Sequence, residues 1–244
     1  MNRKNYKMFS KNRDTKEEIY VRYRDTFFLE KDCKKIADIK GRFAILDLEA
    51  FGTGEDLIKN EKENINRFPF YCGILICEIK DGKLKAIEEK SFNFINLKSE
   101  EELNFKQNNL GKEIEKYLTN NRIKFIFTYF NKMEITFFKE FVKTKYTFID
   151  IYLFTKTSLF SFNRREFIFG KYDKSNQNLN GKKVFFEASK KIFDSNLSEK
   201  ELKDFINKLN LYNSQELSML FKFLDGLLKK YLNKKNQKYL IKKV

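Results

Sequence analysis

The chain has 244 residues, is 41% hydrophobic and carries a formal charge of +16, with enough apolar material for one sizeable core or two small ones. Histidine is absent, which excludes a Ser/His or Cys/His nucleophile pair, His-ligated zinc and a His general base. Carboxylates, Tyr, Lys and Cys are left to carry any chemistry.

No apolar run reaches the roughly 18 residues of a membrane span. Met1 to Arg24 is basic and polar without the apolar segment of a signal peptide. Cys33, Cys72 and Cys77 are an odd number without metal-ligand spacing, and the expectation is reduced thiols in a cytoplasmic protein. Cys72 and Cys77 fall on opposite faces if their segment is a strand. The isoelectric point near 9.5 favours polyanions, nucleic acid first and anionic membrane second. An AT-rich coding bias toward Lys, Asn, Ile and Phe is the competing source of that charge.

In chain order, residues 1–40 are charged with scattered aromatics and are expected to be a basic N-terminal extension, with a short helix within Ile19 to Ile36. It is expected to pack on the domain or reach toward a partner, such as a nucleic-acid backbone; the plainer reading is a partly disordered arm. Phe43 to Leu46 then reads as a buried strand, bounded by Gly41 and by Gly52-Thr-Gly54. A polar stretch from Glu55 to Arg67 follows. Phe68 to Ile79 is the second strand and Lys83 to Asn96 the third, joined at Asp81-Gly82, a strong two-residue hairpin signal. Pro69 sits at the start of its strand, where a missing N–H is tolerated.

Ser99 with Glu102 forms a capping-box pattern that opens a helix running to about Leu118, with a break expected near Gly111. Ile123 to Phe130 is a fourth strand, Lys132 to Lys143 a helix, and Tyr146 to Phe154 a fifth strand. This order implies parallel crossovers added to an antiparallel start. Residues 158–180 alternate Phe with polar residues and read as a hairpin or a loop over a site. Helices are expected over Lys182 to Phe193, from Ser198 as N-cap, and over Ser214 to about Leu232. The last carries a wide apolar stripe. A lysine-rich tail closes the chain. The domain expectation is one α/β unit over 41–232 between the N-terminal extension and a basic tail at 233–244.

Asp47 and Glu49 interrupt the first strand at a spacing of two, so both carboxylates point to one face. Two like charges that close repel, and their burial is costly. Mg²⁺ or Mn²⁺, hard cations that prefer oxygen ligands, would offset the cost. The plainer reading is a strand end with two solvated acids. Asp150, on the fifth strand, is expected to be structural.

The order of elements resembles a ribonuclease-H-like fold: a five-stranded mixed sheet, its first three strands antiparallel, flanked by helices. The acids resemble those of the four-acid (DEDD) 3′–5′ exonucleases of that fold. Asp47-Leu-Glu49 matches the Asp-x-Glu of the first strand. Asn131-Lys-Met-Glu134 is similar to the Asn-then-acid motif at the turn from the fourth strand into a helix, with Glu for Asp and one residue less spacing. Tyr212-Asn-Ser-Gln-Glu216 resembles the Tyr-Asn-x-x-Asp form of a Tyr-containing subgroup of largely uncharacterised bacterial proteins, again with Glu for Asp. Arg67-Phe-Pro-Phe-Tyr and Leu179-Asn-Gly-Lys-Lys-Val184 are loosely similar to that subgroup.

The resemblance implies that Asp47, Glu49, Glu134 and Glu216 hold two Mg²⁺ or Mn²⁺ ions. It implies that Tyr212 orients the attacking water and that the reaction is phosphodiester hydrolysis of single-stranded DNA or RNA from a 3′ end. The expected partner is nucleic acid, with no membrane; the sequence names no protein partner. The Glu-for-Asp exchanges keep a second class open, a catalytically inactive nuclease-like scaffold that binds nucleic acid or a protein. A third is a structural subunit whose charge reflects codon bias.

Overall fold

The computed structural model describes residues 17–24, 26–52, 67–95, 97, 99, 101–129, 132–156, 168, 181–192, 194, 196–233 and 239–242. The polar stretch before Arg67, Asn131 and nearly all of 158–180 lie outside the described residues. In chain order the elements are β1 (Glu17–Tyr23), β2 (Thr26–Leu29), α1 (Glu30–Ala37), β3 (Arg42–Phe51), β4 (Phe68–Lys80) and β5 (Lys83–Asn93). They continue with α2 (Glu101–Asn120), β6 (Phe125–Thr128), α3 (Lys132–Phe141), β7 (Thr147–Asp150), α4 (Ile151–Lys156), α5 (Gly181–Lys191), α6 (Glu199–Leu232) and β8 (Tyr239–Lys242).

A five-stranded mixed sheet in the order β5-β4-β3-β6-β7 is flanked by helices. β3, β4 and β5 form an antiparallel meander, and β6 and β7 add in parallel. The Asp81-Gly82 turn has φ of 54° and 70°, so both central residues adopt the left-handed conformation that a tight hairpin needs. From Pro69 to Cys77 β4 is buried on both faces, which is why its sequence there is a nearly continuous apolar run, interrupted at Gly73, rather than an alternation. On one face Leu46, Ile74 and Ile76 pack under α2, α3 and α5. On the other, Phe43, Ile45, Leu75 and Cys77 pack under α1 and the C-terminal half of α6. Cys72 and Cys77 therefore lie in different cores, on opposite faces as their spacing predicts.

Four local expectations change. The helix expected within Ile19 to Ile36 is confined to α1, and the residues before it form a β1–β2 hairpin turned at Arg24 (φ 53°). Val21 and Tyr23 are buried and Arg22 between them is exposed, the two-residue period of a strand. α2 does not break at Gly111; a Cβ there would stand 2.4 Å from the Phe141 carbonyl oxygen, so the glycine admits α3 at close range. The fifth strand stops at Asp150, whose carboxylate accepts the Tyr152 N–H at 2.8 Å and starts α4. The two last helices are one, α6, of 34 residues, opened by the Ser198–Glu201 capping box.

β1 and β2 form a second sheet with β8, in the order β2-β1-β8. Val21, Tyr23, Phe28, Cys33 and Ile36 share one core with α6, so residues 21–36 are packed against the domain. Among the described residues no helix is long and apolar enough to cross a membrane.

Candidate metal centre

β3 carries Asp47 and Glu49 at its C-terminal end, on the face that also carries Phe43 and Ile45. Parallel β6 registers with β3 at Ala44 and Ile45, and among the described residues the β3 edge beyond them has no ladder partner. The first turn of α3 comes in there. The Glu134 carboxylate accepts the Leu48 N–H, which serves a backbone donor that the sheet leaves open.

α6 crosses the sheet over Gly73, which is paired with Asp47 across the β3–β4 ladder. A Cβ at Gly73 would lie 1.5 Å from Asn213 Oδ1; only glycine leaves room for this side chain. From that position Asn213 Nδ2 donates to Asp47 Oδ2 at 2.7 Å. Its Oδ1 is buried without a hydrogen-bond partner among the described residues. On the same helix the Tyr212 hydroxyl donates to Glu216 Oε1 at 2.7 Å, the (i, i+4) contact that their spacing predicts. Asp47, Glu49 and Glu216 each bring one carboxylate oxygen within 4.8 Å of the other two. They share the wall of a cavity of about 190 Å³ with Arg67, Tyr129, Met133, Phe185 and Tyr212.

This arrangement is electrostatically strained. Burial, followed by the charges of Glu49, Glu216 and Glu134, pushes the Asp47 carboxyl well above the usual carboxylate range. Glu134 is pushed up to about 8, burial outweighing the backbone N–H groups that favour its charge. The Tyr212 hydroxyl is also driven up, by burial and then by Glu216, Glu49 and Asp47. A divalent cation held by Asp47, Glu49 and Glu216 would offset the repulsion that raises Asp47 and Tyr212. The donors are carboxylate oxygens, which suit Mg²⁺ or Mn²⁺ rather than a soft metal. The residues therefore fit such an ion.

Of the residues singled out in the sequence, Asp47, Glu49, Tyr212 and Glu216 come together. Glu134 is adjacent to Asp47 electrostatically but is not one of the three grouped acids, and it is only 3% exposed. Asp150 caps α4, a structural role. Sequence reasoning gave no role to Asn213, nor to Arg67 and Phe185 in the cavity wall. Two signals pointed to Asn213: it falls in phase with Leu209 and Leu217 on an apolar helix stripe, and Gly73 interrupts an apolar strand, a mark of close approach. No family model, no curated protein and no solved structure matches this chain.

Proposed function

We propose that this chain is a metal-dependent nuclease of the ribonuclease-H-like kind, hydrolysing phosphodiester bonds of single-stranded DNA or RNA from the 3′ end. The reading is carried by one observation. Asp47 and Glu49 from β3 and Glu216 from α6 meet within 4.8 Å, beside the Tyr212 hydroxyl, on the wall of one cavity. Acids remote in sequence are not held that close unless something offsets their repulsion. The antiparallel meander, the two parallel crossovers and the closing helix that bears Tyr212 and Glu216 support the same reading.

Asp47, Glu49 and Glu216 would hold the metal, with Glu134 behind Asp47 as the fourth acid. When bound, two divalent ions would supply a water that is nucleophilic at neutral pH and positive charge for the leaving oxygen. The chain's own groups do the rest. Glu216 fixes the Tyr212 hydroxyl, whose acidity is weakened by burial and the nearby acids, so it stays a neutral hydrogen-bonding group to orient water. Asn213 holds Asp47 in place. The charge of +16 draws a polyanion toward the protein.

The near-complete burial of Glu134 favours one second reading, a nuclease-like scaffold that binds nucleic acid without cutting it. End-labelled single-stranded DNA and RNA, incubated with Mg²⁺ or Mn²⁺, separate the two. The nuclease reading expects a ladder from the 3′ end that disappears in the Asp47→Ala, Glu49→Ala double variant. Intact oligonucleotide, bound equally by wild type and double variant, selects the scaffold.

A further inference from the structure

We infer that Arg67 is the phosphate-positioning residue of the acidic cavity, with Phe185 as the platform that holds its guanidinium. This rests on the nuclease reading for one point only, that the anion is a nucleic-acid phosphate.

Arg67 stands immediately before β4, is exposed, and lines the same cavity as Asp47, Glu49 and Glu216. A guanidinium beside three carboxylates would ordinarily neutralise one of them. Arg67 makes no ion pair with any described residue. Its guanidinium carbon lies 5.9 Å from the centroid of the Phe185 ring instead. A guanidinium held by cation–π attraction spends no N–H donor on the ring, so its donors remain available to a ligand. Those donors form the planar fork that matches two oxygens of a phosphate.

The platform is itself fixed. Val184 and Ala188, which flank Phe185 on α5, are fully buried. One turn on, Ser189 Oγ accepts the Gly52 N–H at 2.8 Å and donates to the Phe185 carbonyl at 2.6 Å. That pair of bonds ties α5 to the end of the strand that carries Asp47 and Glu49. Arg67 is thus a cation held beside the acids but not consumed by them. An incoming phosphate needs such a group, because the unmetallated acids repel it and a metal alone does not set its orientation.

The test is binding of a 5′-fluorescein-labelled ten-residue oligothymidylate in EDTA, by fluorescence anisotropy over a salt series. Arg67→Ala is expected to weaken binding about tenfold and to lower the slope of log K against log salt by about 0.7, the loss of one phosphate contact on a single strand. Arg67→Lys and Phe185→Leu are expected to keep the slope and lose affinity several-fold, since the charge remains but the fork or its support is gone. Arg67→Ala binding with wild-type affinity and slope overturns the inference, as does a wild type that does not bind. Cleavage is scored separately. A wild type that cuts, with an Arg67→Ala variant that binds normally, removes Arg67 and leaves the nuclease. A wild type that does not cut, with a reduced slope in Arg67→Ala, removes catalysis and leaves the phosphate contact.

Discussion

Glu134 offers the most quantitative test of the electrostatics. Burial raises its carboxyl from an ordinary 4.5 to about 8. An acid with a raised pKa binds its proton more tightly in the folded state than in the unfolded one. Stability from this group is therefore fully present below pH 4.5 and declines as pH rises toward about 8. At 1.36 kcal/mol for each pH unit the full decline is about 5 kcal/mol, an upper bound because an opened site or penetrating water would relieve it. Glu134→Gln keeps an acceptor for the Leu48 N–H and places a neutral amide where the protonated acid would sit. Its stability should lack this decline. Urea unfolding in EDTA at pH 5, 7 and 9 reads the difference. Wild type and variant should nearly coincide at pH 5. At pH 9 the variant should unfold at a urea concentration up to roughly 1.5 M higher, for an m-value of about 3 kcal/mol/M. Glu134→Gln also removes a charge that helps raise Asp47, so relief at Asp47 adds to the difference in the same direction. Parallel curves from pH 5 to 9, or a wild type that gains on the variant as pH rises, would refute the argument.

Three further outcomes follow from the same geometry. Mn²⁺ at a hundred times its dissociation constant should stabilise the folded chain by about 2.7 kcal/mol, raising Tm by about 5–10 °C. Asp47→Asn should abolish that rise in differential scanning fluorimetry. Gly73→Ala puts a methyl 1.5 Å from Asn213 Oδ1 and must evict Asn213 from Asp47, costing about 1–3 kcal/mol in thermal unfolding. Pairing it with Asn213→Ala should recover part of that loss. Tyr212→Phe removes only the hydroxyl donated to Glu216; on the nuclease reading, kcat should fall about a hundredfold with KM little changed.

The sequence was most legible where local chemistry and tertiary position agree. Asp47 and Glu49 share a face because β3 is a strand, Asp81-Gly82 turns because both residues accept positive φ, and the Ser198–Glu201 box opens α6 as its spacing requires. It was least legible where a distant partner decides. A new helix is expected to begin at Ser214, and Asn210, Asn213 and Ser214 carry side chains of the kind that compete for backbone hydrogen bonds. Here two of them are engaged elsewhere: Asn210 Oδ1 accepts from Tyr71 and Ser91, and Asn213 donates to Asp47. With their side chains committed to the sheet, nothing interrupts the helix. β1 was hidden for a related reason, because half of its pairing is with β8 at the far end of the chain.

That pairing has a consequence for how the chain is made. Glu17 is registered with Lys242 and Tyr20 with Tyr239, so strands more than two hundred residues apart share one ladder. During synthesis β1 can find β2 within seconds of leaving the ribosome, but its other edge stays open until β8 has been translated. An unpaired edge is a template for any extended segment nearby, and the burden falls on the nascent chain rather than on the finished protein. Emergence of β8 is then the event that covers this edge of β1, and a chain lacking β8 would carry that edge exposed beside an otherwise assembled core.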